Sequence, residues 1–437
     1  MRVLAPVAIG LATALVAAGC SSSGTDGTTT PSDGDASGEV VNLEFWSWPV
    51  GTDKIVEDFN ATHPNIQVNL TDAGGGDDSA AKLLTAVRSG EAPDVSTVEY
   101  TTLPSLVIAG AVADISPYAG DIQDAFTEGT WAQTTFDGVT YAVPQDVGPA
   151  AMIYNSAALQ EYGAEVPVTW QDYREAAQTV REANSDAYIG AFPPSELGFW
   201  ASVSAQAGSQ WWAYEDGAWS INIGDDASQE VADFFQGMYE DDLISVEGLL
   251  TAEYNSKLNS NEMLSWPSAL WATGVIQGVA EDSQFGNWRM TNFPQWNAGD
   301  KAVPYQGGSS LVVTSTSEHP EAAMEFISWF NASEEGANDV LTMTGSYPAS
   351  VVGQELSTSQ EVSPLVEGQD DYYDLAAEIA SDTVPVSWGP NVAYAKTVLD
   401  EELSAAIVNG TSWADAFVAT GDAVRKDLVE QGYDVAE

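Results

Sequence analysis

From Val41 to Val98 the chain switches repeatedly between a period of two and a period near 3.6, and this alternation limits the folds open to it more than any other feature. Val41, Leu43 and Phe45 are apolar at every second position, and Ile55, Val56 and Phe59 then share one helical face that stops at His63-Pro64. Ile66, Val68 and Leu70 alternate again. Leu83, Leu84 and Val87 mark a second helical face, closed by Gly90 and Pro93, and Val95 to Val98 form a third strand. Strand, helix, strand, helix, strand predicts an α/β fold with a parallel sheet and helices on its faces. In such sheets ligands gather beyond the carboxyl ends of the strands. That rule points to Trp46 and Trp48 after the first strand, and to Glu99 and Tyr100 after the third.

A second constraint lies at Gly138–Asn155, GVTYAVPQDVGPAAMIYN. Val139 to Val143 reads as a strand stopped by Pro144, followed by a Gln-Asp-Val-Gly-Pro link and a second apolar run, Ala150 to Tyr154. A hairpin would want Asn-Gly or a similar turn pair. The stretch is either a crossover between two lobes, with Asp146 facing a cleft, or an ordinary strand-loop-strand within one domain. Helices are expected at Trp170 to Ala183 and around Val231 to Tyr239, with an aromatic-rich region, Phe199 to Trp219, between them. The run Met263 to Val275 contains Trp266 and Trp271, and Trp271 opens an apolar helix-like stretch that suits the core as well as a site. Ser310 to Thr314 reads as a strand. It leads into a helix opened by His319-Pro320, with Ala323, Phe326, Ile327 and Phe330 on one face. Trp388-Gly389-Pro390 and two further amphipathic helices complete the chain, without internal repeats.

At 437 residues the chain exceeds one ordinary core and suggests two or three domains. A formal charge of -53, from 65 acidic and 12 basic residues, opposes general affinity for nucleic acid, which rests on Lys/Arg clusters. It equally disfavours adhesion to anionic lipid. Cys20 is the only cysteine, so no internal disulfide forms. His63 and His319, each before a proline, read as helix-boundary residues, leaving little material for a zinc or copper site. No metal or cofactor is expected. Gly74-Gly75-Gly76 precedes Asp77-Asp78, which would repel phosphate, and reads as a flexible loop. Neither a G-x-S-x-G elbow nor a P-loop is present, and among 65 acids a chance carboxylate pair is no sign of glycoside hydrolysis.

The N-terminus has one basic residue, Arg2, then an apolar and small-residue run ending Ala17-Ala18-Gly19-Cys20. This is a secretory signal, too short for a transmembrane anchor. Its ending resembles a bacterial lipobox, in which the cysteine is lipidated and becomes the mature N-terminus, although Ala17 stands where the motif prefers Leu. Ser21 to Glu39 is a Ser/Gly/Thr/Asp tract that cannot bury a core and is expected to act as a flexible tether.

Four segments, LLTAVRSGEAPDV (Leu83–Val95), Gly138–Asn155, VPVTWQDYREAA (Val166–Ala177) and YQGGSSLVVTSTSEHPEAAMEFISWF (Tyr305–Phe330), together resemble the extracellular solute-binding proteins of ABC importers, in the carbohydrate-binding branch that includes maltose-binding protein. They keep the family's order across nearly the whole mature chain. The resemblance implies a two-lobe, periplasmic-binding-protein-like α/β fold with a ligand cleft between lobes joined by hinge crossings. The crossings would be Gln145 to Gly148, Gln306 to Ser309, and a third near Tyr347-Pro348. The implied division is a signal peptide over 1–19, a tether over 20–39, one lobe from 40–146 with 309–346, and a second from 147–308 with 347–437. A monomer held at the outer face of the membrane by lipid on Cys20 alone would pass a sugar to permease subunits, without catalysis. The alternatives are a secreted glycoside hydrolase and a carbohydrate-binding adhesin or sensor component.

A sugar offers hydroxyls to hydrogen-bond and C–H faces to cover, and carboxylates and aromatic rings meet those demands. Asp146 and Glu99 are the expected hydroxyl acceptors, with Gly307, Gly308 and Ser309 giving backbone and hydroxyl contacts. Trp266 and Trp388 are the expected stacking platforms, followed by Trp46, Trp48 and Tyr347.

Overall fold

The computed structural model describes residues 40–436 apart from Asp121, Asp137, Asp216 and Pro385. Cys20, the signal-like run and the tether lie outside the described residues. The framework is an eight-stranded sheet. Its strands are β1 (Val41–Ser47), β2 (Ile66–Asp72), β3 (Val95–Glu99), β4 (Val143–Asn155), β5 (Ser265–Ala269), β6 (Trp288–Asn292), β7 (Val303–Val313) and β8 (Thr383–Val384). They run in the order β6-β4-β7-β3-β1-β2, with β5 also on β4 and β8 on β7. The helices that matter below are α1 (Thr52–Thr62), α2 (Gly76–Ser89), α3 (Trp170–Ala183), α4 (Ala272–Val279), α5 (Pro320–Ala332), α6 (Val392–Asn409) and α7 (Trp413–Gln431).

β1 pairs in parallel with both β2 and β3, as the alternating periods require. Ile55, Val56 and Phe59 of α1 are buried beneath these strands, and His63 caps the helix by stacking on Phe59 at 4.0 Å. His319 stands at the N-cap of α5, whose Ala323, Phe326, Ile327 and Phe330 are all buried. The sheet is not parallel throughout, because β7 runs antiparallel to β3 and β4. Gly76 starts α2, so the glycine run is a helix entry in place of the expected loop, and only Gly74 takes a left-handed φ there.

The largest departure from expectation is β4. Pro144 does not stop the strand, which runs unbroken from Val143 to Asn155. Proline removes a ladder donor, which normally confines it to strand ends, edges and bulges. β4 tolerates Pro144 and Pro149 because its neighbours change along its length. Over residues 143–149 it pairs with β7 on one side. On the other side it meets the irregular segment 347–349, where Val147 N–H donates to the Tyr347 carbonyl at 3.0 Å and Ala349 N–H to the Gln145 carbonyl at 3.0 Å. From Ala150 onward it pairs with β5 and β6. One strand therefore serves two packing units.

The β5–β6 side carries the aromatic-rich region. Trp170, at the start of α3 behind a Thr169–Asp172 capping box, meets Phe199, Phe235 and Phe293 edge-on. Trp200, Trp211, Trp212 and Trp413 are fully buried around it, so the tryptophan richness is spent largely on this core. Among the described residues no helix is long and apolar enough to cross a membrane.

Candidate functional site

Where β4 passes from one packing unit to the other, β7 crosses beside it, and the two backbones come closer than a side chain would allow. A Cβ on Gly148 would lie 2.1 Å from the Gln306 carbonyl oxygen. Gly307 and Gly308 have φ of 71° and 97°, a region that suits glycine, and a Cβ on Gly308 would come 2.9 Å from the Tyr100 ring. The register shifts in β7 fall at this point, between Tyr305 and Gly308 and again at Ser309–Ser310. Such bulges re-aim the side chains that follow them.

Ser309 is the register partner of Glu99 on β3 and of Asp146 on β4. Directly opposed residues project from the same face of a sheet, so Glu99, Ser309 and Asp146 form one row across three strands. Ser309 N–H donates to Asp146 Oδ1 at 2.9 Å, and its hydroxyl donates to the same oxygen. Burial raises the Asp146 pKa to about 6, against the lowering effect of these two bonds. The Tyr100 hydroxyl donates to the Asp146 main-chain carbonyl at 3.1 Å. Burial, with Asp146 and Tyr305 nearby, holds that phenol well above its usual pKa, so it remains a donor. Thr101 Oγ1 donates to Glu99 Oε2 at 3.1 Å.

Glu99 also lines a narrow crevice with Trp48, Ser79, Leu83, Thr97 and Thr102, at the carboxyl ends of β1 and β3. The Trp48 ring lies against Gly75 at the entry to α2, where a Cβ would come within 3.0 Å of it. Trp46 is half-buried in β1, packed against a small core that includes Leu83 and Val98.

The remaining sequence candidates separate. Trp266 is 5% exposed within β5, opposite Ile153, and meets Trp271 edge-on at 5.5 Å. Trp271 stands closer to the crossing. Half-buried at the N-cap of α4, it donates Nε1–H to the Gln306 carbonyl at 2.9 Å and lies against Gly148 and Gly307. Tyr347 is buried beside β4, its phenol pushed up to about 12 by burial. Trp388 packs on Trp212 at 6.1 Å, in the loop before α6, and makes no described contact with the crossing. Trp271, Gln306 and Gly148 meet at the crossing: Gly148 and Gln306 bound the two crossings that the resemblance implies, whereas nothing local separates Trp271 from Trp266.

Beyond Tyr347-Pro348, where the resemblance implies a third crossing, the chain keeps contacts with the β1–β3 side. Ser350 bridges to Phe126, and Gly353 packs on Pro348 and Ala337. Gln360 Nε2 donates to Asn338 Oδ1 at 3.3 Å, all within the β1–β3 side. Ser363 is bonded to Gln277 of α4, on the other side. An open recess of 470 Å³ lined by Tyr154, Ser156, Arg289 and residues 368–371 lies at the far end of β4, away from the row.

Two α/β lobes sharing strands that cross side by side, with carboxylates and aromatic rings gathered at the crossing, define a two-lobe solute-binding fold. The chain belongs to the bacterial extracellular solute-binding protein family, whose model matches residues 46–337. The arabinooligosaccharide-binding protein of Halalkalibacterium halodurans is 26% identical over 335 residues, covering 72% of this chain and 73% of the relative. Among solved structures, a binding protein associated with an ABC transporter of B. animalis subsp. lactis, in complex with β-1,6-galactobiose, superposes with a TM-score of 0.82 at 25% identity, covering 91% of this chain and 100% of the other. The galacto-N-biose-/lacto-N-biose I-binding protein of the ABC transporter from Bifidobacterium longum, in complex with lacto-N-biose, gives 0.81 at 26% identity, with coverage of 91% and 100%.

Proposed function

We propose that this chain is the substrate-binding lipoprotein of an ABC importer, which captures a sugar or oligosaccharide between its lobes and hands it to membrane permease subunits. The observation that carries the reading is the Glu99–Ser309–Asp146 row at the crossing, with the Trp48 ring in the crevice beside Glu99 and the Trp271 ring on the neighbouring Gln306 carbonyl. Carboxylates accept from vicinal hydroxyls and rings cover C–H faces, which is what a sugar requires. The named relatives bind arabinooligosaccharides, β-1,6-galactobiose and lacto-N-biose, which supports the same class. In this reading one lobe is built on β1–β3 and the other on β5, β6 and α3. β4, β7 and the segment between Gln360 and Ser363 form the hinge. The protein is a monomer without catalytic residues, anchored at the outer face of the membrane by lipid on Cys20.

Thermal-shift measurement against arabino-, galacto- and gluco-oligosaccharides tests it. A ligand at 100 times its Kd adds about 2.7 kcal/mol of stability, and small-angle scattering should show compaction with the same ligand, since solute touching both lobes favours the closed form by its differential affinity. Failure of every sugar to shift the melt refutes the proposal. Turnover of an aryl glycoside would replace it with a hydrolase.

A further inference from the structure

We infer, building on the saccharide reading above, that Tyr347 and Gln145 form a latch behind the cleft, their side chains bonded to each other when the lobes close on a sugar and parted when the lobes open. Segment 347–349 lies along β4 through two bonds of 3.0 Å, Val147 N–H to the Tyr347 carbonyl and Ala349 N–H to the Gln145 carbonyl, about an antiparallel bridge of Asp146 with Pro348. Side chains alternate along paired strands. Gln145 and Tyr347 therefore project from one face, as diagonal neighbours whose length lets them meet, and Asp146 projects from the other. The Glu99–Ser309–Asp146 row is on the Asp146 face, so the latch acts on the sugar without touching it.

Both residues are buried, Gln145 at 2% exposure and Tyr347 at 4%, and both carry an unpartnered polar atom, Gln145 Oε1 and the Tyr347 hydroxyl. The hydroxyl can donate, and the amide oxygen accepts. Left apart, each costs the free energy of its lost hydration, which pairing recovers. The neighbouring hydroxyls are directed elsewhere. On the β1–β3 side Ser357, at the end of the helix Val351–Ser357, donates to the Gln354 carbonyl at 2.7 Å. On the other side Tyr372 donates to Thr273 Oγ1 at 2.9 Å. Closure of two lobes is absorbed by a few residues at the crossings, and Gln145 to Val147 of β4 are among them, so closing re-aims both side chains. The lobes stand apart here, since the crevice beside Trp48 and Glu99 is walled by the β1–β3 lobe alone. A bond made only on closure favours the closed form, and with it the bound sugar, by its differential contribution.

The test pairs a ligand-free melt with calorimetric titration by arabinotriose, β-1,6-galactobiose and maltotriose. Tyr347→Phe removes only the hydroxyl. Its ligand-free Tm should rise by about 1–4 °C, because an unpaired buried group is gone. Its affinity for every sugar that binds should fall by one common factor, about tenfold or more, because the closing bond is gone as well. A change of opposite sign in stability and affinity is not what loss of packing produces. Gln145→Met should weaken binding by a similar factor, and the double variant no further than either single one, since one bond is lost only once. Tyr118→Phe, exposed on the β1–β3 lobe, should change neither reading. A Tyr347→Phe melt at or below that of the wild type overturns the inference, as do unchanged affinity, additive losses in the double variant, or a loss confined to one sugar, which would put the hydroxyl on the ligand. Each of those outcomes leaves the sugar reading intact. If no sugar binds the wild-type protein, the functional reading fails and this one with it.

Discussion

Substituting Gly148 by Ala probes the crossing most directly. The added Cβ would sit 2.1 Å from the Gln306 carbonyl oxygen and 3.1 Å from Trp271 Nε1, whereas ordinary contact begins at 3.4 Å. The obstacle is main chain, so no side-chain rotation relieves it. β4 and β7 must separate by about 1.3 Å at this point, and overpacking on this scale costs about 1–3 kcal/mol. At about 2.1 cal/mol/K of unfolding entropy per residue, roughly 400 folded residues give about 0.8 kcal/mol/K. The expected fall in Tm is therefore about 1–4 °C without ligand. Affinity should fall as well, because separating the strands carries Ser309 away from Asp146. Differential scanning calorimetry with and without ligand reads both effects. Gly278→Ala is the control: it lies inside α4 with nothing within 4 Å of the added carbon, and should be neutral or stabilising by up to about 1 kcal/mol. If Gly148→Ala melts like wild type and binds with unchanged affinity, the strands do not approach as described.

Trp266→Ala should lower apo stability by about 3–5 kcal/mol, as removal of a buried aromatic ring does; a wild-type apo melt would show that the ring is not packed under β4. Asp146 gives a signed pH dependence. Its folded pKa is raised from 3.8 to about 6, so between those values the folded state binds more protons than the unfolded one, and its contribution to stability falls as pH rises through that window. Sugar affinity should move the other way, tightening from pH 5 to 7 as the carboxylate becomes an acceptor on both oxygens, and Asp146→Asn should flatten the profile; an unchanged profile in the variant places the titrating group elsewhere. For the anchor, Cys20→Ser should move the protein from the membrane fraction to the medium, and retention like wild type would exclude lipid on that residue.

Local pattern determined the elements whose burial is decided by their own periodicity. α1, α3 and α5 and the parallel trio β1–β3 were legible because one face of each is apolar at the required spacing, and the stops at His63-Pro64 and Gly90 act on backbone geometry within a few residues. The placement of Glu99 and Asp146 near the crossing was legible for the same reason: both follow strand patterns whose ends are marked. The passage of β4 through Pro144 was not, since a proline breaks a strand only if its missing N–H was needed, and the partners 347–349 and β7 lie roughly 160 to 200 residues away in sequence. The different settings of Trp266 and Trp271 have a similar cause. Each is a tryptophan in an apolar run, and only the pairing of β5 with β4 turns one ring into the core and brings the other to the Gln306 carbonyl. Trp388 stood beside the same Gly-Pro signal that marks a site, yet Gly389 is needed because a Cβ there would come 2.0 Å from Trp212. Periodicity reports which way a side chain faces within its own element, whereas the neighbour it faces is chosen by contacts made across the whole chain.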